Sequence, residues 1–186
     1  MAHTLIDTAY DGTVDGSVCE VDITSGIDST YPVYEFHFVN MHPASNTSFT
    51  FQFDTGDLEN YDQTITSTFF LTYHREDDSS ADVGYHAAYD QANAAQAFQT
   101  LIAGGGISTD ADSGVSGTLT LYDPSSSTYV KHFMGGSNSF QGDPQFQQTY
   151  VAGYVNTTTA LTRISFKFES GNIDAGVIKM YGIAKS

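Results

Sequence analysis

Apolar and polar residues alternate with period two along most of this chain. Residues 33–41 place Tyr34, Phe36 and Phe38 on one face and Glu35 and His37 on the other. Residues 48–53 set Phe49, Phe51 and Phe53 against Ser48, Thr50 and Gln52. Residues 64–73 set Ile65, Phe69, Leu71 and Tyr73 against Thr64, Thr66, Thr68 and Thr72. Such alternation marks strands with one buried face. Residues 18–23, 118–122, 128–134, 149–155, 161–168 and 177–183 read the same way, which predicts about nine strands. Turn chemistry separates them at Asp11-Gly12, Asp15-Gly16, Met41-His42-Pro43, Asp54-Thr55-Gly56, Tyr122-Asp123-Pro124, Gly142-Asp143-Pro144 and Ser170-Gly171-Asn172. Each of these supplies tolerance of positive φ or a preset bend.

One stretch departs from the pattern. Residues 87–102 are rich in Ala and Gln, carry Ala94, Phe98, Leu101 and Ile102 at helical spacing, and run into Gly104-Gly105-Gly106. This predicts a single helix stopped by glycine, lying across an open end of the fold. An internal echo relates residues 116–123 (SGTLTLYD) to residues 175–182 (AGVIKMYG). It predicts two equivalent strands packed across a sandwich, since two copies are too few for a solenoid. The expected architecture is therefore all-β: a β-sandwich of jelly-roll type with one short helix, formed by residues 1–186 as one domain, with residues 1–17 as an extended N-terminal arm.

Composition agrees with a β-protein and narrows the function. Ser and Thr number 41 of 186 residues, while Asp, Glu, Lys and Arg together make up only 15%, so hydroxyl groups dominate the polar surface. Aromatic residues reach 13%, too many for a disordered acidic tail. With 22 acids against 6 bases the net charge is −16, which argues against nucleic-acid binding by phosphate neutralisation. No apolar run approaches the ~20 residues that span a bilayer, and Met1-Ala2-His3-Thr4 does not begin a secretory signal. The expectation is a soluble protein made in a cytoplasm. Residues 1–130 hold 19 acids and one base, residues 131–186 three acids and five bases. Such asymmetry could mark two faces, but a β fold interleaves its segments, and mixing of the charges is the preferred reading.

Candidate chemistry is sparse. Gly135-Gly136-Ser137-Asn138-Ser139 lacks the second glycine of a nucleophile elbow. Cys19 shares an alternating face with Val21 and Ile23, which predicts a buried, inert thiol. His3, His37, His42, His74, His86 and His132 are scattered, with no helical pair, and read as strand-face or turn histidines rather than zinc ligands. Asp110-Ala111-Asp112-Ser113-Gly114 begins like a calcium loop but lacks the closing bidentate acid, and Glu76-Asp77-Asp78 with Asp82 reads as a solvated acidic loop. Glu20, Glu35 and Glu169 are the acids available for a glycosidase pair, but nothing in the sequence brings two of them together. No catalytic, cofactor-binding or metal residues are assigned, and no cofactor is expected.

Residues 34–43 (YEFHFVNMHP), residues 116–122 with residues 129–134 (YVKHFM), and residues 170–182 (SGNIDAGVIKMYG) resemble a family of structural proteins of tailed bacteriophages, particularly phages of marine bacteria. The likeness spans roughly residues 30–183. It implies a virion component, and the matching blocks are implied to be fold signatures, not catalytic groups. The expected function is a non-enzymatic head decoration (cement) protein on the outer capsid surface. Its expected partner is the major capsid protein, and it is expected to be a homo-oligomer, a trimer being favoured by analogy. The alternative is a tail-associated or fibre module that binds host-surface glycan through tyrosines and acidic loops. A sugar-active enzyme ranks third.

Overall fold

The computed structural model describes residues 2–12, 17–56, 60–94 and 97–185, with residues 103–106 described by their backbone alone. The turn expected at Asp15-Gly16 lies outside the described residues. The described residues form twelve strands: β1 (His3–Tyr10), β2 (Glu20–Ile23), β3 (Val33–Pro43), β4 (Thr47–Asp54), β5 (Ile65–Arg75), β6 (Ala81–Tyr85), β7 (Gln99–Ile107), β8 (Gly114–Tyr122), β9 (Lys131–Gln141), β10 (Gln145–Val155), β11 (Arg163–Phe168) and β12 (Ile173–Ile183). They form two sheets, ordered β1-β12-β3-β8-β9-β10-β5-β6 and β2-β11-β4-β7, and every pairing between neighbours is antiparallel.

The topology is that of a jelly roll. Eight strands in the orders β1-β12-β3-β8 and β2-β11-β4-β7 make the two facing four-stranded sheets of that fold, with successive strands from β1 to β4 alternating between sheets. Two hairpins are inserted, β5–β6 after β4 and β9–β10 after β8, and together they widen the first sheet to eight strands.

Aromatic residues fill the space between the sheets. Tyr34, Phe36 and Phe38 of β3 and Phe49, Phe51 and Phe53 of β4 are fully buried, as their alternation predicts. Phe36 meets Phe166 with ring centroids 5.7 Å apart, Phe38 meets Phe49 at 5.4 Å, and Phe51 meets Phe133 edge-on at 5.3 Å. Each such side chain contributes about 1.5–3 kcal/mol by leaving water.

The polar face of β4 is buried as well. Gln52 donates from Nε2 to the carbonyls of Gln63 and Ala97, Thr50 donates from Oγ1 to the Lys167 carbonyl, and Asp54 accepts from the amides of Gly56 and Tyr61. Loop segments therefore cover this part of the outside of the smaller sheet, and backbone groups satisfy these three polar side chains.

Four expectations need correction at this level. The described residues of 87–102 form no α-helix. The described part holds one 3₁₀ turn at Ala87–Tyr89 and the start of β7, while residues 95 and 96 are not described. Ala94 exchanges two backbone bonds with Ile65, the Ser67 amide donates to the Gln91 carbonyl, and Gln99 donates to the carbonyls of Tyr89 and Thr100. These distant partners outweigh the weak helical preference of alanine.

Residues 41–43 are not a turn but the end of β3, which continues past a bulge at Asn40 with φ 49°. Residues 3–10, expected in an extended arm, are the edge strand β1, paired with β12.

The echoed segments, β8 and β12, flank β3 in one sheet instead of facing across the sandwich. Their glycines explain the likeness. A methyl on Gly117 would collide with the Gly136 carbonyl and stand 2.8 Å from the Phe38 ring, whereas one on Gly176 would collide with Met41. Each strand thus lays a glycine against the bulged stretch of β3.

Candidate functional site

The outer face of the eight-stranded sheet carries the candidate sites. Outward residues align in cross-strand rows because antiparallel register is regular over its middle strands. One row runs Tyr85, Phe70, Tyr150, Gly136, Thr118, His37 and Lys179 from β6 to β12. The next runs Thr68, Ala152, Met134, Thr120, Glu35, Tyr181 and Leu5, ending on β1.

At the β6 end the face is apolar. Phe70 and Tyr150 stack with centroids 5.0 Å apart and planes at 19°. Tyr85 continues their row, Val83 stands in the next row, and Phe146 shares the face further along β10, at 61%, 66% and 49% exposed. A side chain at Gly136 would meet no atom within 4 Å, so the surface next to Tyr150 is flat and open.

At the other end lies a cluster of ionisable groups. Glu35 Oε2 is 3.1 Å from His37 Nε2 and 3.4 Å from His3 Nδ1. Tyr181, on the strand between, packs its ring at 4.8 Å from His37 and 6.3 Å from His3. Alternation along β3 projects Glu35 and His37 together, and the pairing of β1 with β12 delivers His3 from the far end of the sequence. The sequence reading held these histidines to be scattered. His3 and His37 converge on Glu35, while His74, His86 and His132 lie elsewhere: His74 pairs with Asp78 at 3.2 Å, and His86 and His132 lie near Tyr89 and Tyr154.

A cleft of about 500 Å³ opens beside the β3 bulge, lined by Asn40, His42, Asp112, Ser116, Asn138 and Phe140 among others. The residue 110–114 loop forms one wall. His42 lies 3.1 Å from the Asp110 carbonyl and 3.8 Å from Asp174, and Ser116 Oγ accepts from the Asn40 amide. The sequence reading did not single out Asn40, Ser116, Asn138 or Phe140. A bulge and a cross-strand pairing assemble them, and neither has a local signature.

The other candidates disperse. Glu20 and Glu169 belong to the smaller sheet and its turn, and Glu35 to the outer face of the larger one, so the three do not form a catalytic pair. In the residue 76–82 hairpin Asp77 accepts from Ser79 and lies 3.5 Å from Arg75, while Arg75 grips Asp143 with two bonds of 2.5 and 2.8 Å. Those hydrogen bonds hold the Asp77 and Asp143 carboxyls below the ordinary aspartate value.

Residues 135–139 are part of β9, not a catalytic elbow. Cys19 is exposed, contrary to expectation, because β2 begins only at Glu20 and the Cys19 thiol points to Asn172 Oδ1 at 3.2 Å.

The basic residues of the C-terminal third do not gather on one face. Lys131 is fully buried, Lys167 lies over the Phe98 ring at 3.8 Å, and Lys179 stands opposite His37. No helix among the described residues is long and apolar enough to cross a membrane.

Neither a family model nor a curated protein matches the chain. A solved structure of a protein of unknown function from Bacteroides ovatus aligns over 58% of this chain and 45% of its own, with 8% identity and a TM-score of 0.30. The alignment thus spans under half of that protein, and the likeness carries no argument about fold or function.

Proposed function

We propose that this protein is a structural component of a tailed-bacteriophage virion: a decoration protein that binds the major capsid protein on the outer capsid surface. The observation that carries this reading is the open aromatic end of the large sheet. Phe70, Tyr85 and Tyr150 stand side by side in one row with Val83 in the next, and all four are exposed. A patch of this kind is what a protein interface requires at its centre, with rigid aromatic area rimmed by polar groups.

Two further points support it. The segments that resemble phage structural proteins fall on β12, β3, β8 and the start of β9, which are neighbours in one sheet. The jelly roll is also a fold of viral shells, an analogy of fold and not of function. Assembly as a homo-oligomer, with a trimer favoured, belongs to the same proposal.

The test is binding of purified protein to mature capsids from which it has been removed. Wild-type protein rebinds and restores heat resistance, and the Phe70→Ala/Tyr150→Ala double variant, folded by circular dichroism, rebinds at least about tenfold more weakly. Failure of the wild-type protein to rebind overturns the decoration reading. Equal rebinding by the variant removes the aromatic patch from it.

The cleft favours a second reading, a tail-associated module that binds host-surface glycan. Asn40, Asp112, Ser116, Asn138 and Phe140 line the cleft together, residue types suited to sugar hydroxyls and an apolar ring face. Copy number in purified virions separates the two readings. A copy for every one to three capsid subunits supports decoration, and one or two per hundred supports the tail.

A further inference from the structure

We infer that His3, Glu35 and His37 form a binding site for a divalent first-row transition cation such as zinc, and that the bound ion clips the edge strand β1 to β3 across β12. The three ligand atoms lie within 4.8 Å of one another on the outer face of the sheet. Bonds of about 2.0–2.2 Å from a tetrahedral zinc ion place its ligand atoms about 3.4 Å apart. The two contacts of Glu35 Oε2, 3.1 and 3.4 Å, already match that spacing. Closing the site requires only that the two imidazoles approach each other, at a place where His3 is 44% exposed.

Two imidazoles and one carboxylate suit zinc and its neighbours in the first transition row, and suit calcium or magnesium poorly. Three protein ligands leave a fourth position open to water or to a donor from a partner. The ring of Tyr181, on the strand between them, packs against both imidazoles.

The consequence is mechanical. Strand β1 is an edge strand paired in its sheet with β12 alone, and its register slips at two places, Leu5/Asp7 and Thr8/Tyr10. An ion held by His3 of β1 and by Glu35 and His37 of β3 ties that strand to the next but one, which backbone hydrogen bonds cannot do. The inference does not depend on the partner of the aromatic patch.

The experiment is calorimetric titration of the full chain, stripped with chelator, with zinc chloride, together with amide hydrogen exchange with and without the metal. One equivalent binds, and exchange slows in residues 3–10. His3→Ala, Glu35→Gln and His37→Ala each weaken binding by at least about the 10- to 100-fold typical of losing even an outer partner. The His74→Ala/His86→Ala/His132→Ala variant binds like wild type. Each of these side chains is at least partly exposed, and circular dichroism checks that the variants fold. No heat of binding up to millimolar zinc overturns the inference, as does binding that survives loss of His37. Binding without added protection of β1 overturns the clip.

Discussion

Gly176 packs against Met41 so closely that a methyl group on it would stand 2.5 Å from Met41 Sδ and 2.8 Å from Met41 Cα. Its φ of 129° is a conformation that other residues rarely adopt. The bulge in β3 and the glycine of β12 are therefore one feature. Gly176→Ala is expected to destabilise the fold by about 2–3 kcal/mol, through clash and backbone strain together. Gly136→Ala, where the added methyl meets nothing, is expected to stay within about 0.5 kcal/mol of wild type. Urea unfolding midpoints of the two variants check both expectations.

Lys131 is fully buried, and its ammonium donates to the carbonyls of Ser126, Tyr129 and Thr157 at 2.5, 3.2 and 3.2 Å. Burial pulls its pKa below the usual lysine value, with Asp123 acting weakly in the other direction. The lysine staples the loop before β9 to the loop after β10. Lys131→Met keeps the stem and removes the donors, and is expected to cost about 1.5–3 kcal/mol, the range for hydrogen bonds to a charged group. A variant as stable as wild type would mean that the cost of burying the charge cancels those bonds.

Alkaline stability turns on Tyr61. Its phenol is raised well above the ordinary tyrosine value, first by burial and then by the nearby Asp22 carboxylate. In the unfolded chain the phenol loses its proton near pH 10, while in the folded protein it keeps it. The unfolded state therefore binds fewer protons above pH 10, and stability falls as pH rises from there. Tyr61→Phe removes this contribution. The variant is expected to resemble wild type at pH 7 and to exceed it in urea midpoint at pH 11. Equal midpoints at pH 11 would show that Tyr61 does not titrate on unfolding.

Cys19 is expected to react with a thiol reagent such as dithionitrobenzoate in the native protein, with one equivalent modified without denaturant. A thiol that reacts only after unfolding would restore the buried position suggested by its alternation with Val21 and Ile23.

Much of the strand content was legible because each strand shows the core one face. The alternation of Tyr34, Phe36 and Phe38, or of Phe49, Phe51 and Phe53, states which side chains leave water, and all six are buried. What failed did so where burial is not one-sided or where pairing is remote. Gln91 and Gln99 fall in the stretch whose composition predicted a helix, yet both are buried and bonded to backbone of the loop or to Ser67. Cys19 continued an alternation that the strand itself does not. The cleft needed the Asn40 bulge, which a four-residue pattern such as Val-Asn-Met-His does not announce.

Local periodicity and composition were enough for the class of fold, the inner and outer faces of most strands, and a surface made of hydroxyl groups and carboxylates. Which strands are neighbours emerges only in the folded chain. It placed His3 beside Glu35 and His37, stacked Phe70 on Tyr150, set the two echoed strands on either side of β3 and spread the late basic residues over both sheets. The physical reason is that register and strand order are set by pairings between segments far apart in the chain. Their free energy depends on the joint packing of both sheets, and no single segment carries it.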